Sequence, residues 1–195
     1  MEHSHHPVAI RERIEEGPKT SYLSDWVYGG IDGATVNLRA REPFPVMAAI
    51  ARRMANAMSC LAVAQDFAHN DRGARKLFPH VDVDTEPEVD GQANQEAGFR
   101  ANLQHLYYTV LGRRLEANDA AIDAAYALLI AVWRDGLAEG PGQLHERCQA
   151  RKDFFTRVNL SGDRTPIRRD DRYVVRAWMA VLTTLLSDPA FLLER

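Results

Sequence analysis

The stretch "QEAGFRANLQHLYYTVLGRRLEANDAAIDAAYALLIAVW", residues 95–133, contains two consecutive patterns that each predict an amphipathic helix. In the first, from Gln95 to Leu111, apolar residues recur at spacings of three and four, and Gly112 stands where a left-handed C-cap would lie. The second begins after Asn118, which we expect to be its N-cap. The predicted buried faces are Phe99, Leu103, Leu106 and Val110 in the first helix and Ile122, Tyr126, Leu129, Ile130 and Trp133 in the second.

Three more segments are predicted to be helical: residues 46–64, the more polar Gln143 to Phe155, and residues 170–186, which end before Pro189. The apolar faces are Met47, Ile50, Met54, Met58 and Leu61 in the first of these segments and Val174, Trp178, Val181, Leu182 and Leu185 in the last. The intervening residues 70–94 are rich in turn formers and acids, which is typical of a long surface loop. No segment shows the alternation of a strand, so the sequence predicts an all-α bundle of about five helices.

The chain divides in the sequence at residues 43–45, where Pro43 and Pro45 interrupt any helix. We predict an N-terminal arm with short helices over residues 1–42 and the bundle domain over residues 43–195. The composition, with 46% apolar and 26% charged residues and a net charge of -3, is typical of a soluble globular protein and gives no reason to expect a nucleic-acid partner. Residues 46–64 include Arg52, Arg53 and Asn56, so we expect no membrane span.

Cys60 and Cys148 lie far apart and form no CxxC motif, which favours two buried thiols over a disulfide and gives no support for structural zinc. The N-terminal residues lack the apolar core of a secretory signal. A cytoplasmic location is therefore the expectation.

"HHPVAIRERIEEGPKTSYLSDWVYGGIDGA", residues 5–34, contains Leu23, Ser24, Asp25, Val27, Gly29, Asp32 and Gly33 in a recognisable order. This segment resembles the N-terminal region of the vacuolar iron transporter family, whose members have a His-rich start, a short charged helix and an LSD-x-V-x-G-x-x-DG motif. The resemblance implies a dimeric, multi-span transporter of Fe(II) or Mn(II), with Asp32 facing the ion path. It covers about 30 of the 195 residues.

The resemblance ends after Ala34. Family members continue with a long apolar run, whereas this chain continues "TVNLRAREPFPV", with charges at Arg39, Arg41 and Glu42. Without a completed span, Asp32 has no hydrocarbon around it and no neighbouring helix with which to share an ion. Iron or manganese transport or binding therefore stays the alternative rather than the leading interpretation.

Other candidate sites are weaker. His3, His5 and His6 form a cluster that could bind a divalent metal ion. Asp66 with His69, and His145 with Cys148, have the spacing of residues on one helical turn, although packing or surface exposure explains both pairs more simply. A nucleophile formed by Cys60 or Cys148 with His105 is disfavoured because a thiol beside an apolar face is usually inert. Two charged sets are interpreted as solvated or partly paired surface: Asp82, Asp84, Glu86, Glu88 and Asp90, and Arg164, Arg168, Arg169, Arg172 and Arg176.

These observations predict a soluble helical module that is not an enzyme and acts through protein contacts or as a structural element. We expect no cofactor, unless the family resemblance is functional and brings Fe(II) or Mn(II) to Asp32, His3, His5 and His6. A protein partner or self-association fits this interpretation. A helical enzyme assembled from distant Asp, His and Arg residues remains a third hypothesis.

Overall fold

The computed structural model describes residues 45–139 and 142–192. Five α-helices lie in these ranges: α1 (Pro45–Phe67), α2 (Glu96–Leu111), α3 (Ala120–Glu139), α4 (Val174–Leu186) and α5 (Pro189–Leu192). Two antiparallel pairs of two-residue strands accompany them: β1 (Glu88–Val89) with β2 (Gln92–Ala93), and β3 (Gly142–Gln143) with β4 (Arg169–Asp170). The predicted all-α fold class is confirmed.

The boundary between two compact units of the chain falls inside α1, between Met54 and Ala55. The packing described below is that of the second unit, which begins at Ala55. On this part of α1, Met58 is buried as predicted, whereas Leu61 is partly exposed. No helix in residues 45–139 and 142–192 combines the length and the apolar character that crossing a bilayer requires.

Helices α2, α3 and α4 pack on one another around a core of aromatic and aliphatic side chains. Trp178 of α4 is fully buried, and its ring stacks on that of Phe99 with 5.8 Å between centroids. The predicted faces of α2 and α4 are confirmed in full, because every residue named for them is buried. Gly112 adopts the left-handed C-cap conformation, with φ 67°, as predicted.

The ends of two helices differ from prediction. The α3 terminus is capped by Asp119 rather than Asn118: the Asp119 carboxylate accepts a hydrogen bond from Ala121 N at 2.8 Å. On the α3 face, Ile122, Leu129 and Trp133 are buried, whereas Tyr126 and Ile130 are partly exposed. Pro189 ends α4 as expected, but it also begins α5, since proline is favoured in the first helical turn.

The predicted surface loop over residues 70–94 enters the core. Phe78 is fully buried and lies 4.5 Å from Phe67 and 5.2 Å from Trp178, measured between ring centroids. The buried Asp66 carboxylate accepts hydrogen bonds from the backbone N–H groups of Lys76, Leu77 and Phe78, at 2.7, 3.0 and 2.9 Å. The Asp66 side chain of α1 therefore stabilises the turn that places Phe78 in the core.

The predicted helix from Gln143 to Phe155 is wrong. Residues 142–170 form β3, a 3-10 turn over Glu146–Cys148, the isolated bridge pairs Ala150 with Ile167 and Lys152 with Asn159, and then β4. The apolar side chains Leu144, Ala150 and Ile167 are buried by this pairing of distant segments. We call residues 142–170 the paired segment.

Cys60 and Cys148, which are 88 positions apart in sequence, form a disulfide with their Cα atoms 4.6 Å apart. The expectation of two buried thiols is therefore wrong. The disulfide joins α1 to the 3-10 turn of the paired segment, and both residues are partly exposed. Folding brings together two cysteines that no local spacing connects.

Asp153 stabilises the far end of the paired segment. Its carboxylate accepts hydrogen bonds from Thr156 N at 2.8 Å and Phe155 N at 3.0 Å, and it forms an ion pair with Arg164. The Thr156 N–H is the largest of several causes, among them Arg164, that lower the pKa of Asp153 to about 2. The folded state therefore holds this carboxylate ionised at a pH where the unfolded chain would bind a proton.

We expect Asp153→Asn to weaken the acid-side pH dependence of stability. Because the pKa of Asp153 is about 2 in the folded state and about 3.9 in an unfolded chain, its contribution is present above about pH 5 and is lost as the pH falls toward 2. Urea unfolding between pH 7 and pH 2 should show a wild-type advantage that shrinks through this window. Asn159→Ala on the same loop removes no titratable group and is the control. An advantage that stays constant down to pH 2 would contradict this assignment.

Candidate functional site

A cleft of about 380 Å³ lies between residues 83–84 and residues 166–172, which include strand β4. Six of its nine lining residues are charged. The lining residues are Val83, Asp84, Pro166, Ile167, Arg168, Arg169, Asp170, Asp171 and Arg172. We call this surface the arginine cleft.

The backbone of the arginine cleft is held by hydrogen bonds to the first half of the paired segment. Ile167 and Ala150 exchange both of their backbone hydrogen bonds, at 2.9 and 3.0 Å. Leu144 N donates to Arg168 O at 3.0 Å. The strand pairing then continues with Arg169 opposite Gln143. The cleft is therefore the outer surface of a paired, partly buried strand.

A second set of contacts joins the cleft to the helical core. Asp170 is 3% exposed, and its carboxylate accepts hydrogen bonds from Val175 N at 3.1 Å and Arg176 N at 2.8 Å, which caps the start of α4. Burial raises the pKa of Asp170 despite these donors. The Trp133 indole N–H donates to Arg172 O at 2.8 Å. The chain that carries the three cleft arginines is thus fixed at both ends.

Gly136 of α3 has no side chain, and the ring of Tyr173, the residue after the cleft, occupies the space that a side chain would fill. A Cβ atom at this position would lie 1.7 Å from Cδ1 of Tyr173. The Tyr173 hydroxyl donates to Glu139 at 3.0 Å, and the residue has a φ of 60°. The close approach of ring and helix sets the direction in which the chain leaves the cleft and enters α4.

The three cleft arginines differ in their partners. Arg169 forms an exposed bidentate pair with Asp171. Arg172 donates to Asp84 O at 2.7 Å and lies 3.4 Å from Glu86. Arg168 is exposed, and its guanidinium makes no hydrogen bond or ion pair with any residue that the structure describes. Arg168 is therefore the cleft cation that is available to a ligand.

Comparisons with known proteins leave this site without a precedent. No family model, curated protein or solved structure matches the chain. The arginine cleft must therefore be interpreted from its own geometry and charge.

The metal-site residues predicted from the sequence, Asp32, His3, His5 and His6, lie outside the described residues. Their role, like the resemblance to the vacuolar iron transporter family, stays a prediction. In residues 45–139 and 142–192, no group of three or more His, Cys, Asp and Glu side chains is placed to hold a metal ion.

The structure accounts for the two residue pairs that were weighed as metal ligands. The carboxylate of Asp66 is occupied by three backbone N–H groups, and His69 takes part in a backbone bridge with Arg164. Cys148 is in the disulfide, so it cannot pair with His145 at a metal ion or act as a nucleophile with His105. The interpretation as packing is confirmed for Asp66, whose buried carboxylate accepts only backbone N–H groups among the described residues. For Cys148, the structure shows a disulfide in place of simple packing.

Sequence analysis missed a pair of neighbouring histidines, His80 and His105. Their ring centroids are 5.9 Å apart, and His105 Nε2 lies 2.8 Å from the carbonyl oxygen of Lys76. Burial first, and then the nearby charges of His105 and Arg72, lower the pKa of His80. Two imidazoles are fewer than the three or four protein ligands of a typical zinc site. No sequence signal indicated this pair, because the two histidines are 25 positions apart and belong to no common motif.

The two charged sets are partly paired with each other or with nearby helices. Asp82 pairs with Arg72 and Arg75, and Glu88 pairs with Arg134 of α3. In the basic set, Arg164 pairs with Asp153, and Arg176 lies 4.4 Å from the centre of the Tyr173 ring. The predicted partly paired surface is thus confirmed for most of the basic set, with Arg168 as the exception. The acids were expected to be solvated, whereas arginines neutralise several of them.

Proposed function

We propose that this protein is a non-enzymatic interaction module whose arginine cleft binds a mixed-charge polypeptide segment of a protein partner. The observation that carries the proposal is Arg168, an exposed cation without a carboxylate partner among the described residues, on a backbone fixed from both sides. A glutamate or aspartate of the partner would form a charge-assisted pair with Arg168.

The charges around Arg168 favour a polypeptide over a polyphosphate. Asp84 and Asp171 also line the cleft, so their carboxylates would repel the phosphates that the arginines attract. A peptide that alternates acidic and basic side chains would match both signs. The apolar parts of its side chains could also contact Val83, Pro166 and Ile167, which line the cleft beside the charged residues.

The residues of the cleft suit binding better than catalysis. Its nine lining residues include no histidine, serine, lysine or cysteine, the side chains that most often serve as nucleophile or as general base. Its most deeply buried acid, Asp170, is occupied by the N–H groups of Val175 and Arg176. These features support a docking role.

The location of the protein belongs to the same proposal. The Cys60–Cys148 disulfide is typical of an oxidising compartment, because cytosolic reductants keep most thiols reduced. This argues against the cytoplasmic location expected from the N-terminal sequence. We propose that the oxidised protein, with the Cys60–Cys148 disulfide formed, is the form that binds the partner.

Arg168→Gln is expected to weaken peptide binding about tenfold or more, since a hydrogen bond to a charged group contributes about 1.5–3 kcal/mol. The probe is a fluorescein-labelled peptide of alternating glutamate and lysine, titrated against the oxidised protein at low salt and followed by anisotropy. A peptide with glutamine in place of each glutamate should bind as weakly to wild type as the glutamate–lysine peptide binds to the variant.

Arg114→Gln is the matched control for this titration, because Arg114 is an exposed arginine in the turn after α2 and lies outside the cleft. It should leave the affinity within about twofold of wild type. Equal losses for Arg168→Gln and Arg114→Gln would show non-specific charge attraction and contradict a site at the cleft. So would undetectable binding to the wild type.

A further inference from the structure

We propose that the Cys60–Cys148 disulfide controls whether the arginine cleft is assembled, so that the oxidised chain presents the cleft and the reduced chain does not. The inference rests on the proposed function for its biological meaning, but its structural half can be tested without any ligand.

Cys148 lies between the two residues that hold the back of the cleft. Four positions before it, Leu144 donates to Arg168 O, and two positions after it, Ala150 exchanges both backbone hydrogen bonds with Ile167. Any displacement of the turn at Cys148 therefore acts directly on the backbone of Ile167 and Arg168. The disulfide fixes this turn to α1 through a covalent bond.

The other links that tie α1 and the residues just after it to the paired segment are hydrogen bonds. Asn70, three residues past α1, bonds to Gly162, Asp163 and Thr165. Gln65 donates to Lys152 O at 2.8 Å and accepts from Arg164 at 2.8 Å, and Thr165 N donates to Ala68 O just beyond the end of α1 at 2.7 Å. Hydrogen bonds that water can reach contribute little net stability, because water competes for both partners. The paired segment has no α-helix of its own, and its buried apolar side chains are only Leu144, Ala150, Leu160 and Ile167.

The helical core does not depend on the disulfide in the same way. Phe99, Leu103, Trp178 and Leu182 are buried between α2 and α4, far in sequence from both cysteines. Stability is not uniform across a fold, and segments with few buried apolar contacts open before the core does. Reduction is therefore expected to release the paired segment and leave the packing of α2, α3 and α4 in place.

The chemical step is a thiol–disulfide exchange. In the forward direction, the thiols of Cys60 and Cys148 react with a disulfide oxidant: the Cys60–Cys148 S–S bond forms, the oxidant's S–S bond breaks, and the two protons pass to the two thiols released from it. A dithiol reductant reverses the reaction. Both cysteines are partly exposed, which gives such a reagent access to the sulfur atoms.

Hydrogen exchange on the full chain tests the structural half. The amides of Leu144, Ala150 and Ile167, each a donor in the paired segment, should exchange at least tenfold faster after treatment with dithiothreitol. The amides of Leu103 and Leu106 in the core of α2 should remain at least tenfold more protected than those three, because the core opens after the paired segment does. A Cys60→Ser/Cys148→Ser variant should behave like the reduced protein and should not respond to dithiothreitol.

Two results would overturn the inference. The first is unchanged protection of Leu144, Ala150 and Ile167 in the reduced protein. The second is a loss of protection in α2 down to the level of the paired segment, which would show that the two regions open together and that reduction does not release the cleft first.

The alternating glutamate and lysine peptide then tests the functional half. Its affinity should fall at least tenfold on reduction of the wild type and should not change when dithiothreitol is added to the double variant. If the oxidised protein does not bind the peptide, the proposed function fails, while the exchange rates still decide whether the disulfide assembles the cleft. If binding is equally strong in both redox states, control by the disulfide is excluded.

Discussion

Replacement of both Cys60 and Cys148 by alanine is expected to lower the free energy of unfolding by about 4–5 kcal/mol, the largest single effect that we predict. A cross-link stabilises mainly because it removes conformations from the unfolded chain, and the loss grows with the number of residues in the closed loop. Here the two cysteines are 88 positions apart in sequence, so the closed loop is long. Urea unfolding of the oxidised protein and of the double variant, both at neutral pH, measures the difference.

Reduced wild-type protein is the control for this comparison. It lacks the bond but keeps both sulfur atoms, so its stability should match that of the double variant within about 1 kcal/mol. A difference between oxidised and reduced protein below about 1 kcal/mol would contradict a cross-link that restricts the unfolded chain in this way. A single variant, Cys60→Ala, should be as unstable as the double variant, since one cysteine cannot form the bond.

Asp66→Ala is expected to cost about 3–4 kcal/mol, because it leaves three backbone N–H groups without their acceptor. Asp66 is 8% exposed and accepts from Lys76 N, Leu77 N and Phe78 N, of which the last bond is fully buried. An orphaned buried donor costs about 1–3 kcal/mol, and water that reaches the more exposed donors offsets part of the sum. The turn would then no longer hold Phe78 between Phe67 and Trp178.

Two substitutions make this prediction specific to Asp66, both measured by urea unfolding. Asp66→Asn keeps one acceptor oxygen and should lose about half as much stability as Asp66→Ala. Asp71→Ala removes an exposed carboxylate that accepts only from Gly73 N, and it should cost about 1 kcal/mol or less. If Asp66→Ala and Asp71→Ala had equal effects, the turn would not depend on the carboxylate of Asp66.

Local periodicity was sufficient to predict the helices that form the core. Phe99, Leu103, Leu106 and Val110 lie on one face because their spacing matches the turn of a helix, and the same holds for Val174, Trp178 and Val181 in α4. Gly112 is a C-cap for an equally local reason, since only a residue that tolerates positive φ can end the helix there. Information within one or two helical turns determines all of these features.

Features that depend on distant partners could not be predicted in this way. Leu144 and Cys148 have a helix-like spacing, but Leu144 pairs with Arg168 and Cys148 bonds to Cys60, so the predicted helix over residues 143–155 does not form. Phe78 is a single aromatic residue in a polar stretch, and its burial depends on a carboxylate ten or more positions earlier. Long-range hydrogen bonds and a cross-link override the local preference at these positions.

The arginine cleft belongs to this second group. Its two walls come from residues 83–84 and 166–172, which meet only when the paired segment lies against the core. The sequence shows that residues 164–176 are rich in arginine, but it does not show which arginine lacks a partner. That distinction depends on Asp153 reaching Arg164 and on Asp171 reaching Arg169, which leaves Arg168 exposed on the surface.

The most direct test of the central claim is a titration of uniformly ¹⁵N-labelled, oxidised protein with the alternating glutamate and lysine peptide, followed by two-dimensional NMR. We predict that the backbone amide signals of Val83, Asp84 and Ile167 to Arg172, together with the guanidinium Nε–H signal of Arg168, shift in a saturable manner. The amides on the exposed side of α3 should remain in place. Shifts spread evenly over all exposed arginines, or confined to a surface away from the cleft, would contradict a binding site there.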